Sequence, residues 1–107
     1  MKNELQFRMA LRQAARIGLV TGKITGKEWL QIQSVLWNSK RKTEDGTKID
    51  LIEEIAEGSL AQLQVEGHVP VGATVDAVDW SALINFIKDG LPTIMAFITQ
   101  LLALFGK

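Results

Sequence analysis

The 107-residue chain contains no cysteine and no tyrosine, and its single histidine is His68. The absence of cysteine excludes a disulfide framework, a thiolate nucleophile and a cysteine metal site. With one histidine, a metal site would have to consist almost entirely of carboxylates, and the acidic residues do not follow the spacing of a calcium loop. We therefore expect no metal site and no cofactor.

Few side chains remain that could perform catalysis. Glu53, Glu54 and Glu57 cluster on one predicted helix, but they lie opposite its apolar stripe, where we expect water to solvate them. Paired catalytic acids need burial to separate their pKa values. His68 stands in a stretch of valine and glycine, where we expect no role as a base. We expect no catalytic residue, no enzymatic activity and no small-molecule substrate.

Charge is balanced overall but not along the chain. Residues 1–42 carry nine basic and two acidic side chains, whereas residues 43–79 carry nine acidic side chains and Lys48. The two parts can pair within one chain, or head to tail with identical neighbours.

The first 64 residues have the pattern of three short helices. A helix over 3–17 would begin at Asn3 and end at Gly18. The sequence Thr25-Gly-Lys-Glu28 is a capping box that predicts the start of a second helix, and Asp50 is placed to cap a third. We predict an all-α fold in which residues 1–64 form a small helical domain.

Two stretches lack a helical pattern. Residues 38–49 read as an exposed loop, in which Asp45-Gly46 is a turn signal that could close a short hairpin. Residues 65–79 are rich in valine and glycine and contain Pro70, which argues against a central strand. We predict that 65–79 is an extended linker between the helical domain and the C-terminal segment.

Residues 80–107 predict one apolar C-terminal helix. Gly90-Leu91-Pro92 predicts a kink near 90–92, because proline removes a backbone donor and clashes with the preceding turn. Large apolar residues nevertheless keep the alternating spacing of a heptad seam across that point. The seam consists of Trp80, Ile84, Ile87, Leu91, Ile94, Ile98, Leu101 and Phe105. Because the phase survives, we expect a bent continuous helix that joins a multi-helix bundle.

The seam predicts self-association. Isoleucine stands at both of its alternating positions, a mixture that favours assemblies larger than dimers. Apolar residues also flank it at Leu83, Phe97 and Leu104 on one side, and at Met95 and Leu102 on the other. A stripe this wide suits a helix buried on two sides, either by several chains or within its own domain. We expect a homo-oligomer or a larger protein assembly.

An alternative is a small membrane-associated protein of pore or lysis type, with residues 80–105 at the bilayer. The uninterrupted apolar run from 91 to 105 would be about 22 Å long as a helix, which is shorter than a hydrocarbon core of about 30 Å. The lysine- and arginine-rich face of an interfacial helix is also missing. The first residues, Met-Lys-Asn-Glu-Leu-Gln-Phe-Arg, lack the apolar core of a signal peptide. We expect a cytoplasmic or virion-associated location.

A second alternative is contact with nucleic acid through the basic N-terminal part. Three arginines four residues apart would form a ridge on the first helix, and three consecutive basic residues follow the second helix. The candidate phosphate contacts are Arg8, Arg12, Arg16, Lys40, Arg41 and Lys42. Trp29 and Trp37 would offer a surface for base stacking, although core packing is the expected role for both.

Together these features indicate a non-enzymatic structural or assembly protein. The overall make-up, which is small, free of cysteine, basic and then acidic, and hydrophobic at the end, resembles the minor structural proteins that bacteriophages encode. The resemblance covers the whole chain loosely and implies a virion component, without a motif that assigns roles to residues.

Overall fold

The computed structural model describes residues 2–42 and 45–103. Over these ranges the chain forms five helices: α1 (Glu4–Val20), α2 (Gly26–Trp37), α3 (Leu51–Val65), α4 (Ile84–Asp89) and α5 (Leu91–Ala103). Two short strands, β1 (Lys40–Lys42) and β2 (Lys48–Asp50), lie between α2 and α3. The fold is mostly helical, and the strands are an addition to the predicted all-α class.

All three predicted helix starts are confirmed, and two of them have the expected side-chain cap. The Thr25 side chain accepts a hydrogen bond from the Glu28 amide, and the Glu28 carboxylate accepts one from the Thr25 amide. The Asp50 carboxylate accepts hydrogen bonds from two amides in the first turn of α3. Asn3 does not cap α1 with its side chain, which instead donates to the carbonyl oxygen of Val78 at 2.7 Å. The Asn3 side chain therefore bonds a residue that is distant in sequence instead of an amide in the first turn of α1.

The first helix is longer than predicted, because Gly18 lies inside it rather than after it. α1 continues to Val20, and Gly18 is buried. A Cβ atom on Gly18 would lie 2.5 Å from Cδ1 of Leu91, so the glycine allows α5 to approach α1 closely. The prediction that Gly18 ends the helix was wrong, because the residue serves helix packing.

The predicted hairpin between α2 and α3 is confirmed. β1 and β2 pair antiparallel, with Arg41 opposite Ile49 at the centre of the register. Gly46 has a positive φ of 85°, which glycine adopts without steric cost. The hairpin ends directly at Asp50, whose side chain caps α3, so the sheet fixes where that helix begins.

The segment predicted as an extended linker, 65–79, forms turns that pack against the helices. Val69, Val75 and Val78 are buried in the core. The Gln64 side-chain amide lies within hydrogen-bonding distance of three carbonyl oxygens, those of residues 70, 71 and 73. The Lys2 amide donates to the carboxylate of Asp76. Val65 is the last residue of α3, and residues 66–79 contain neither helix nor strand. They cover the core rather than spacing two parts of the chain.

The C-terminal segment departs from the prediction in two ways. Residues 80–83 form a turn, so the helical region begins at Ile84 rather than at Trp80. The predicted break occurs at Gly90, which separates α4 from α5, so the segment is two helices and not one bent helix. Backbone hydrogen bonds from Gly90 to Phe86 and from Ile94 to Gly90 join them. Residues 104–107 lie outside the described residues.

One apolar core joins both ends of the chain. Its buried members come from all five helices, from the α1–α2 connection and from the 66–83 turns. Trp80 is the largest fully buried side chain, and its ring meets Phe7 edge-on at 4.6 Å between centroids. The Trp80 amide donates to Oε1 of Gln6, and the indole N–H donates to the carbonyl oxygen of Val75. Residues 1–64 and 80–103 therefore share a single core.

Candidate functional site

The residues of the predicted heptad seam are packed inside their own chain. Those that are buried are Trp80, Ile87, Leu91, Ile94 and Ile98. Ile84 and Leu101 are partly buried against the same core, and Phe105 lies outside the described residues. The seam is therefore covered by the chain itself, and its side chains are not presented to a neighbour in this structure.

The side chains flanking the seam are covered in the same way. Met95 is buried, and Leu83, Phe97 and Leu102 pack partly buried against the core, whereas Leu104 lies outside the described residues. α4 contacts α1, and α5 contacts both α1 and α3. These contacts explain why the stripe is wider than a two-stranded seam. The sequence left open whether the stripe is buried between several chains or within its own domain. The structure shows burial within the chain.

Arg8, the first of the predicted nucleic-acid contacts, binds the protein itself. Its guanidinium forms an ion pair with Glu4 at 3.1 Å, donates to the carbonyl oxygen of Leu36 and donates to Oγ of Ser39 at 2.8 Å. Leu36 and Ser39 lie at the end of α2 and directly after it. Arg8 therefore holds the end of α2 against α1, and its donors are directed inward.

Of the other five predicted nucleic-acid contacts, one forms hydrogen bonds within the protein and four are exposed. Arg41 donates to the carbonyl oxygen of Asn38 at 3.2 Å and lies within 3.4 Å of Oγ of Ser34. Those that are exposed are Arg12, Arg16, Lys40 and Lys42. A second ion pair, between Lys23 and Asp89, joins the α1–α2 connection to the end of α4.

An exposed apolar surface that the sequence did not predict lies where α1 meets the end of α2. Trp37 is 87% exposed, Leu5 71% and Met9 63%. Together with Leu36 they line a shallow depression that Arg12 also borders; we call these four apolar residues the Trp37 patch. Large apolar groups that are contiguous and wet on a small protein are typical of interaction surfaces.

A signal for the Trp37 patch was present in the helical phase of α2. At about 100° per residue, Trp37 lies nearly opposite the midpoint of Ile32 and Val35, which are both buried. Trp29 lies closer to that buried side and packs partly buried against the core. Core packing was therefore the right expectation for Trp29 and the wrong one for Trp37.

The acidic residues form an open face. Glu53, Glu54 and Glu57 are exposed on α3. In the described ranges, 2–42 and 45–103, no group of three or more histidine, aspartate or glutamate side chains is placed to hold a metal ion. His68 is exposed and stacks on the ring of Phe86 at 3.9 Å between centroids.

No protein-family model, curated protein or solved structure matches this chain. Within the part of the chain that the structure describes, no helix has both the length and the apolar character needed to cross a membrane.

Proposed function

We propose that this protein is a non-enzymatic structural protein that assembles head to tail, with the Trp37 patch of one copy packed against the acidic α3 face of the next. The observation that carries the proposal is the 87% exposure of Trp37 within a contiguous apolar patch. Tryptophan is enriched among the residues that dominate the binding energy of protein interfaces.

The free energy gained by burying Trp37 can be compared with the cost of association. Burying one tryptophan removes roughly 150–250 Å² from water, which at about 25 cal/mol per Å² contributes about 4–6 kcal/mol. That is comparable to the lower range of the cost of association, about 4–15 kcal/mol. Trp37 alone therefore offsets only part of this cost, and Leu5, Met9 and charge pairing must supply the remainder.

Charge complementarity selects a second copy as the partner. Arg12 borders the patch, and Arg16 follows it four residues later on α1. Glu53, Glu54 and Glu57 supply the opposite charge on a different helix of the same chain. Contact between two different surfaces is heterologous, so repetition builds a ring or a filament rather than a closed dimer. Such an assembly fits a minor component of a bacteriophage virion, the context that the overall make-up of the chain resembles.

This interface replaces the C-terminal seam in the proposal. Self-association through the seam would require side chains such as Trp80 and Ile98, both 0% exposed, to leave the core of their own chain. The same burial weakens the membrane alternative, in which residues 80–105 would face lipid.

The test compares two variants by sedimentation velocity, alone and mixed. Trp37→Glu disables the patch, and the double variant Glu53→Lys with Glu57→Lys reverses the acidic face. We expect the wild type to form oligomers that higher salt weakens, and each variant alone to be a monomer. An equimolar mixture of the two variants should form a dimer and nothing larger, because only one intact pair of surfaces remains.

Val71→Glu is the matched control, because it places the same charge at an apolar side chain that is 87% exposed but outside the patch. It should assemble like the wild type. A wild type that stays monomeric at high protein concentration and low salt would refute the proposal. A mixture that stays monomeric while the wild type assembles would refute the pairing of these two surfaces.

Nucleic-acid binding is a second candidate, because the exposed Trp37 indole lies beside Arg12. An aromatic platform with basic neighbours is how many proteins bind single strands, and each stacked base contributes about 1–3 kcal/mol. Trp37→Ala should then weaken binding to a single-stranded oligonucleotide by about 5- to 150-fold. Arg12→Ala with Arg16→Ala should lower the salt dependence of binding. Wild-type protein that shows no binding at low salt would exclude this candidate.

A further inference from the structure

The dipeptide Asp-Gly occurs twice in the chain, at Asp45-Gly46 and at Asp89-Gly90. It can rearrange without an enzyme, because glycine has no side chain to hinder the attack of its amide nitrogen on the preceding carboxyl group. The structure places one copy in the turn of the hairpin and the other at the junction of α4 and α5. The two sites therefore share their chemistry but differ in their backbone and hydrogen bonds.

The rearrangement has two steps. The glycine nitrogen bonds to Cγ of the protonated aspartate, the amide proton leaves with the carboxyl hydroxyl as water, and a five-membered succinimide ring forms. Water then opens the ring at one of its two carbonyl carbons. Opening at the former main-chain carbonyl gives isoaspartate, in which the main chain runs through the former side chain, and opening at the other carbonyl restores aspartate. The water released in the first step equals the water consumed in the second, so the mass of the protein does not change.

The hairpin turn favours the first step at Asp45-Gly46. Both residues are exposed. The Thr47 amide donates to Oδ1 of Asp45 at 3.0 Å, and this Asx turn folds the carboxyl group back along the main chain past the Gly46 nitrogen. No residue of 2–42 or 45–103 accepts a hydrogen bond from the Gly46 amide. The attacking nitrogen is therefore available, and the carbon that it attacks is held beside it.

The helix disfavours the same step at Asp89-Gly90. Asp89 is the last residue of α4, and the Gly90 amide donates to the carbonyl oxygen of Phe86 at 2.9 Å. The Asp89 carboxylate accepts a hydrogen bond from Nζ of Lys23 at 3.2 Å. Ring closure would turn the ψ angle of Asp89 away from its helical value. The last turn of α4 must therefore open before the nitrogen can attack.

We propose that Asp45-Gly46 is a site of spontaneous isoaspartate formation in the folded protein, and that α4 protects Asp89-Gly90 from the same modification. The product adds one methylene group to the main chain of the turn that joins β1 and β2. Because β2 leads directly into Asp50, the modification falls in the connection that sets the start of α3. The site lies outside both surfaces of the proposed head-to-tail contact, so the inference does not depend on that assembly.

The test follows both sites in one sample of the full-length protein, incubated at mildly acidic pH and physiological temperature. Trypsin cleavage after Lys42, Lys48 and Lys88 places the two aspartates in separate peptides, residues 43–48 and 89–107. Chromatography separates the isomers of equal mass, and electron-transfer fragmentation identifies isoaspartate. We expect isoaspartate to accumulate faster at Asp45 than at Asp89 by about 2- to 13-fold or more, the factor that corresponds to one hydrogen bond.

Asp45→Glu and Asp89→Glu are the matched variants, because glutamate would have to form a six-membered ring, which closes much more slowly. Only Asp45→Glu should abolish the faster reaction. In protein denatured with guanidinium chloride, the two sites should react at similar rates, since neither keeps its hydrogen bonds. The proposal is overturned if the folded protein forms no isoaspartate at Asp45, if both sites react equally fast in the folded protein, or if the difference between them persists unchanged after denaturation.

Discussion

The burial of Ile98 allows a direct test of whether the apolar stripe belongs to the core or to an interface between chains. Ile98 is 0% exposed in a single chain. Truncating a buried isoleucine to alanine costs about 2–5 kcal/mol, because apolar contacts are lost and a cavity remains. Stabilities of small domains are about 5–15 kcal/mol, so Ile98→Ala should remove a large share of the free energy of unfolding.

Urea denaturation followed by tryptophan fluorescence and by circular dichroism measures this effect. With a slope of about 1–3 kcal/mol per molar urea, a loss of 3 kcal/mol lowers the midpoint by about 1–3 M. Gln100→Ala is the matched control, because this residue is exposed on the same helix. Its effect should stay within about 0.5 kcal/mol.

Protein concentration decides between the two explanations. Head-to-tail assembly through Trp37 would itself make stability depend on concentration, so both proteins are measured with Trp37→Glu in addition. If the stripe is core, the midpoints of Trp37→Glu and of Trp37→Glu with Ile98→Ala do not depend on concentration. If the stripe is buried between two chains, a hundredfold dilution removes about 2.8 kcal/mol of stability, since each tenfold change contributes about 1.4 kcal/mol. A Trp37→Glu midpoint that falls by this amount on dilution would refute burial within the chain. An Ile98→Ala midpoint equal to that of Gln100→Ala would refute it as well.

Three further predictions concern the contacts that hold the helices. Thr25→Ala should cost about 0.5–2 kcal/mol in urea denaturation, because α2 loses its N-cap, whereas Thr25→Ser should restore most of it. Arg8→Ala should cost about 1.5–3 kcal/mol, because a charged donor bonded to two groups near the end of α2 is lost, and an unchanged midpoint would show that these hydrogen bonds contribute nothing. Gly18→Val should lower the melting temperature, because its side chain would occupy the space of Leu91, and Gly18→Val combined with Leu91→Ala should recover part of the loss. 

Local patterns determined where the helices begin. The Thr25 capping box and the Asp50 cap were readable because both ends of each hydrogen bond lie within four residues. The turn signal at Asp45-Gly46 predicted the hairpin for the same reason, and the break near residue 90 followed from a proline and a glycine. These features depend on neighbours in sequence.

Features that depend on distant partners were not predictable. Judged from its sequence neighbours alone, Gly18 is typical of a residue that ends a helix. Its position inside α1 is explained only by the close approach of Leu91 from α5. The 65–79 segment has the composition of a linker, but three buried valines and the bonds to Lys2 and Asn3 place it over the core. The same limit applies to the candidate site, since helical phase alone indicated the exposure of Trp37 but not the neighbours that make it a patch.

The amino-acid sequence by itself determined that residues 80–103 need burial, because a wide apolar stripe cannot remain in water. It did not determine what covers that stripe, because a heptad pattern is equally satisfied by other chains or by helices of the same chain. Only the tertiary structure decided this, by packing α4 and α5 against α1 and α3 around Trp80. This packing buries the predicted seam within the chain. The Trp37 patch stays exposed, and it is the apolar surface through which we propose that the protein assembles.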